Sequence, residues 1–219
     1  MFWHLLLAHF LADYPLQPNW MANNKHRLPV LFLHVSIHLV VMLFVVGAAR
    51  RALWPFLLLL VSIHFMIDFG KVTLSTRKPD WVILPYLIDQ ALHVISIAAV
   101  VYWAGQSAVS LELPFSPQLA VLATAYLLVT YVWYISERVV TYAAPDYRQE
   151  LVAQAWPRMF ARAFFLSSFL WLIGPRLAIQ ENPAMLVTIP YLASRYGRRA
   201  IAIDLLVAVG GLFFVLWAH

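Results

Sequence analysis

Read as apolar and polar positions, the chain is a succession of apolar runs broken by prolines, glycines and short basic stretches. The first run covers residues 2–14 and is closed by Pro15 and Pro18, which cannot continue a helix. A polar stretch follows at 19–27, with Trp20 placed as an interfacial anchor. The second run, 29–49, stops at Arg50 and Arg51; the third, 53–69, is followed by Gly70 and a basic loop with Lys71, Arg77 and Lys78. The fourth covers 81–103, and the connection at 104–117 has no Lys or Arg. Further runs occupy 118–135, 163–173 and 200–217, with a mixed-charge loop or surface helix at 142–162 and a shorter apolar piece at 183–193.

A bilayer span takes about 20 apolar residues, so this pattern predicts an all-α, polytopic membrane helix bundle of about six to eight hydrophobic helices, seven preferred. One integral membrane domain is expected over 1–219. Residues 1–103 would form a four-helix core and 104–219 accessory helices. The apolar start lacks a basic leader and a cleavage site, so it is expected to be a retained first helix.

The polar residues inside the first four runs are not scattered. They come as pairs four apart: His9 and Asp13, His34 and His38, His64 and Asp68, Asp89 and His93. Positions i and i+4 share one face of a helix, so each run presents a small polar face in an otherwise apolar rod. Loop charge brings these faces to one depth. With the Lys-free and Arg-free 104–117 connection outside, the stretches holding Lys25–Arg27 and Lys71–Lys78 lie inside, leaving only Arg50 and Arg51 on the unfavoured side, where they can snorkel. Asp13 and His34 then flank one inside loop, and Asp68 and Asp89 the other. All four pairs fall in the cytoplasmic half of the membrane.

Composition supports the membrane setting and narrows the chemistry. The chain is 63% hydrophobic and 11% charged, against about 25% charged in a soluble domain. Its net charge of +5 fits basic inside loops. No basic stripe interleaved with exposed aromatics is present, and nucleic-acid binding is not expected. The absence of cysteine excludes disulfides, thiolate metal sites and thiol nucleophiles.

An Asp at the centre of a spanning helix costs roughly 2.5–3.5 kcal/mol, so three of them need partners or a cation. His and carboxylate together suit Zn, Mn or Fe. The candidate metal ligands are His9, Asp13, His34, His38, His64, Asp68, Asp89 and His93. These are more than one tetrahedral ion uses, so one or two divalent ions are expected. Gln17, Gln90 and Lys25 are placed to orient ligands or hold a substrate oxygen. Lys71, three residues after Asp68, is a candidate for binding an anionic group or donating a proton. Ser36 and Ser62 are expected to bond their own helix backbone. Glu137 and Arg138 read as an ion pair at a helix end, and Asp204 as a partner of Arg198 or Arg199.

The run from His9 through Asp13, Tyr14 and Pro15 to Gln17, then Trp20, Met21, Ala22 and Lys25, resembles the opening of the bacterial membrane proteins grouped as domain-of-unknown-function family 3307. His34, His38, His64, Asp68, Lys71, Asp89, Gln90 and His93 continue the likeness in order, with Glu137 and Arg138 as a further shared point. The resemblance implies a multi-helix membrane fold with a polar centre and names no reaction. The site is also similar in style to membrane-bound metal-dependent hydrolases.

These features together lead to an intramembrane metal-dependent hydrolase of the bacterial inner membrane. It would act on a lipid or other amphiphile near the cytoplasmic face, with a metal-activated water as nucleophile and Asp68 or Asp89 as general base. The alternatives are a metal-ion or proton transporter using the same cluster, a structural or assembly subunit with a folding metal, and a b-type haem protein. Ligands at one depth, without paired helix breaks in matching halves, weigh against transport. Three Asp beside a porphyrin weigh against haem.

Overall fold

The computed structural model describes residues 1–106, 112–173 and 198–218 and is helical nearly throughout them. The fold is all-α, with stretches long and apolar enough to cross a membrane at Leu28–Arg77, Ile83–Gly105, Pro117–Val140 and Ala200–Ala218. The apolar piece at 183–193 lies outside the described residues. The chain divides into two compact units, Met1–Ala120 and Val121–His219.

In the first unit, α1 (Phe2–Asp13) ends where Pro15 removes a backbone donor, and the Tyr14 N–H closes it on the Phe10 carbonyl. The polar stretch after it is not all loop, because Asn19–Asn24 form the short helix α2. Helix α3 (Leu28–Val46) starts with Pro29 in its first turn, where no N–H is needed. It stops at Gly47, whose φ of +55° breaks the helix, and a 3₁₀ turn over Gly47–Ala49 leads into α4 (Arg50–Arg77). The reversal therefore comes at Gly47, ahead of the Arg50–Arg51 boundary expected from charge. Helix α4 runs on through Gly70 and Lys71 to Arg77, so the expected basic loop is two further turns of helix. Helix α5 (Ile83–Gly105) completes the unit.

Helix α1 packs on α3 and α5, α3 on α4, and α4 on α5, so the four close into a ring. Each of the four turns its ligand pair inward while Phe32, Phe44, Met66, Ile95 and Tyr102 face outward and exposed. An apolar plug of Leu5, Met42, Leu60 and Ile97 fills the bundle on one side of the polar centre.

Helix α6 (Pro117–Leu127) begins at the end of the first unit and, in the second, passes through a π-helical stretch, Leu128–Val132, into α7 (Trp133–Val140). Helices α8 (Pro145–Ala153), α9 (Ala155–Ile173) and α10 (Arg198–Ala218) follow. Helix α9 starts well before the apolar run that announces it, taking in Arg158 and Arg162, both buried. Gly211 lets α10 lie against the π stretch. A Cβ there would collide with the Val129 side chain.

Candidate metal centre

The i,i+4 spacing works as the helical period dictates, and the ring of four helices turns four separate stripes into one cluster. His9, His34, His38, His64, Asp68, Asp89 and His93 are each at most 4% exposed. The imidazole planes crowd together, with centroids 3.8 Å apart for His38 and His64, 4.3 Å for His64 and His93, and 4.8 Å for His9 and His93.

Asp13 is the pivot. Its Oδ1 lies 3.1 Å from the Nε2 atoms of both His34 and His38, and its Oδ2 lies 3.4 Å from His9 Nε2. Asp68 sits beyond His34, with Oδ2 at 3.2 Å from His34 Nε2 and 3.6 Å from His64 Nε2. His64 Nε2 is itself 3.3 Å from His34 Nε2. Three groups of side chains offer ligand atoms within 4.8 Å of one another: Asp13 with His34, His38 and His64; Asp13 with His9 and His93; and His64 with Asp68 and His93.

These separations match a metal shell. Bonds of about 2.0–2.1 Å set tetrahedral ligand atoms roughly 3.3 Å apart. Hydrogen bonding alone accounts for them poorly. His34 Nε2 has Asp13 Oδ1, Asp68 Oδ2, His64 Nε2 and Lys25 Nζ all within 3.3 Å, and a ring nitrogen makes one hydrogen bond, as donor or acceptor. His9 Nε2 and both ring nitrogens of His93 are buried without a hydrogen-bond partner. Buried His/Asp groups are thus arranged so that they could hold a metal ion.

The lysines expected beside the site are built into it. Lys25 Nζ lies 2.8 Å from Asp68 Oδ2 and 2.9 Å from His34 Nε2, and Lys71 Nζ donates to Asp89 Oδ2 at 2.7 Å. Asp89 therefore stands apart from the other seven candidate ligands, in none of the three groups. Its Oδ2 also takes the Gln90 amide, at 3.0 Å, while its Oδ1 is buried with no hydrogen-bond partner and lies 3.7 Å from His93 Nδ1. With neutral imidazoles, three carboxylates face two ammonium groups, so one negative charge is left over. It falls on Asp13, which has only imidazoles in contact among the described residues. Gln17 lines a recess shared with Lys25 and Lys71, and its Oε1 is buried without a partner.

Two participants were not visible as such in the sequence. Tyr14, next to Asp13, donates to Gln90 Oε1 at 3.0 Å and lies 3.1 Å from the Tyr86 hydroxyl, extending the polar chain through Gln90 to Asp89. Their signal was position, since Tyr86 is one turn before Gln90, but among ten tyrosines they read as interface residues. Ser36 and Ser62 bond the carbonyls of Phe32 and Leu58, as expected of helix serines. His4 is outside the cluster and bonds the Phe115 carbonyl at 2.9 Å.

The second unit holds a separate buried charge network, and here the expected pairings are corrected. Glu137 pairs with Arg158 and Arg162, at 2.9 and 2.8 Å, and not with Arg138, whose guanidinium lies over the Tyr134 ring. Asp204 takes the same two arginines, at 3.0 and 2.7 Å. Adjacent residues on a helix point about 100° apart, so Glu137 and Arg138 cannot share a buried face. Arg158 and Arg162, one turn apart, can.

No curated protein and no solved structure matches the chain. The profile of the family described as proteins of unknown function, DUF3307, matches residues 1–122, a stretch that holds every residue of the four-helix cluster but not Glu137 or Arg138. The chain belongs to the DUF3307 family.

Proposed function

We propose that this protein is an intramembrane metal-dependent hydrolase of the bacterial inner membrane, acting on a lipid or other amphiphile near the cytoplasmic face. The observation that carries the reading is the surplus of ligands on one point: Asp13, without a fixed cation, surrounded by imidazoles whose Nε2 atoms converge beyond what hydrogen bonding can use. Asp13, His34, His38 and His64 would hold one ion. Asp13 also faces His9 through its other oxygen, and Asp13, His9 and His93 would hold a second ion. A divalent ion of the Zn, Mn or Fe class supplies Lewis acidity and a water acidic enough to be a nucleophile near neutral pH.

The chain's own residues then divide the remaining work. Asp89 is the general base, because its Oδ1 is the buried carboxylate oxygen left free to accept a proton. Lys71 and Gln90 fix the other oxygen and hold Asp89 in place. Lys25 neutralises Asp68 and sits at the mouth of the site. Leu5, Met42, Leu60 and Ile97 set an apolar plug on the far side of the histidines. This favours chemistry at one face over transport. The ring's outward faces are apolar, so a substrate arriving from the bilayer is amphiphilic.

Elemental analysis of the detergent-purified protein, beside a His34→Ala/His38→Ala variant, tests the centre. About one or two equivalents of Zn, Mn or Fe, lost in the variant, are expected for one or two occupied positions. A metal-free protein after gentle purification would overturn the assignment and leave a network in which Lys25 and Lys71 are the only counter-ions. Once a lipid substrate is found, Asp89→Asn should lose turnover while keeping its metal. Full activity in that variant would remove Asp89 as the base.

A further inference from the structure

Two concave surfaces of the four-helix unit meet at Lys71. One is a polar recess of about 330 Å³ lined by Gln17, Asn23, Lys25, His26 and Lys71. The other is an apolar groove of about 480 Å³ between α4 and α5, lined by Met66, Gly70, Leu74, Ile88 and Leu92, with Lys71 and Asp89 at its polar end. We infer that the α4–α5 groove seats the hydrocarbon tail of a lipid whose phosphate headgroup is held in the recess between Lys25, His26 and Lys71. This rests on the proposed function, which requires an amphiphile without saying where its two halves go.

Charge complementarity points to an anionic head. The segments that frame the recess, 14–30 and 70–82, carry Lys25, Arg27, Lys71, Arg77 and Lys78 against the single acid Asp80, and although Asp68 and Asp89 each bond one of the two recess lysines from inside the bundle, Arg27, Arg77 and Lys78 leave the rim basic. Lys71 is reachable, its side chain 30% exposed even while bonded to Asp89. An ammonium has three donors and Asp89 Oδ2 takes one, so others remain for phosphate oxygens. The groove is made for a chain. Met66, Ile88 and Leu92 are exposed along it, and Gly70 adds no side chain. A Cβ at Gly70 would meet nothing within 4 Å, so the space beside this turn of α4 is open. A tail lying there places its head at Lys71, next to the free oxygen of Asp89.

The same gap supplies the test. Gly70→Leu directs a side chain into the groove from a position where a Cβ meets nothing within 4 Å, and it improves helix propensity, so the variant should fold. The full-length protein is incubated with dioleoyl phosphatidic acid or dioleoyl phosphatidylcholine, and bound lipid is counted by native mass spectrometry. The wild type should retain phosphatidic acid about tenfold better, the worth of one charge-assisted hydrogen bond. Gly70→Leu should lower retention of both lipids about tenfold, as for two methylenes leaving the groove, with metal content unchanged. Lys71→Gln should abolish the preference between headgroups. Equal retention of the two lipids by the wild type, or a Gly70→Leu variant that binds as well as wild type, would overturn the inference. Displacement of the lipid by millimolar inorganic phosphate would do so too, since the recess would then recognise phosphate without a tail seat. Selective binding without any hydrolysis would instead count against the reaction and leave the lipid seat standing.

Discussion

At the scale of single residues, the proposed metal centre rests on Asp13 more than on any other side chain. Asp68 and Asp89 each have a lysine, so their charge is compensated with or without an ion. Asp13 has imidazoles only. Asp13→Asn removes the charge but keeps the shape, so it should reduce metal affinity by more than the roughly 10- to 100-fold typical of a ligand's outer hydrogen-bond partner. Metal retention during dialysis against a graded chelator measures this. Asp68→Asn leaves Lys25 with His34 as its remaining partner in the site and no counter-charge, and should cost stability as well. The clustering of the four His/Asp pairs is legible because a spacing of four on a helix is a statement about faces, and a membrane makes polar faces expensive; that Asp89 stands apart from the other seven is not. The lysine partners were only half legible. Lys25 reaches Asp68 across 43 positions of sequence, and no local pattern encodes that closure.

At the scale of elements, the differences from the sequence reading have one physical source: hydropathy marks where a helix meets lipid, not where its hydrogen bonding ends. Helix α4 outlasts its apolar run because residues 70–77 contain no proline and no clash at Gly70. Helix α9 begins ahead of its apolar run because Arg158 and Arg162 are consumed inside, on Glu137 and Asp204. Two arginines and two carboxylates balance in charge, and each member is anchored on a different turn of α7, α9 or α10. Removing one is therefore worse than never having had any. Arg162→Met should lower stability by about 3–5 kcal/mol, because Glu137 and Asp204 are left short of a counter-charge. Glu137→Gln added to Arg162→Met should recover part of that loss. Thermal unfolding in detergent of the single and double variants reads the coupling, and a double variant no better than the single would show that the charges do not act together. At Gly47 the requirement is on the backbone, since φ of +55° there reverses the chain between α3 and α4. Gly47→Ala should cost about 1–3 kcal/mol with no loss of a contact.

At the scale of the whole molecule, two boundaries drawn on different grounds fall together. The compact unit of the chain ends at Ala120 and the family's matched stretch at residue 122. Every candidate ligand, both lysines and the Tyr14–Gln90 chain lie before that point. The apolar runs alone put the core at 1–103, because the last candidate ligand is His93 and the fourth run stops soon after. Nothing in the hydropathy marks the return of residues 112–116 to the bundle, where the Phe115 carbonyl bonds His4 and Pro114 lies beside Gly47. Those contacts make residues 112–116 part of the four-helix unit, so a fragment should be cut after residue 122 and not at 103. Expressed alone, residues 1–122 should insert in the membrane and carry the same metal equivalents as the full chain. Chelator should lower the thermal stability of both, by about 2.7 kcal/mol when the free metal stands at a hundred times its dissociation constant. A 1–103 fragment should melt lower than 1–122, having lost the Phe115 and Pro114 contacts, yet bind the same metal if it folds. A 1–122 fragment that is folded but metal-free beside a metal-loaded full chain would overturn the assignment of the centre to the four-helix ring.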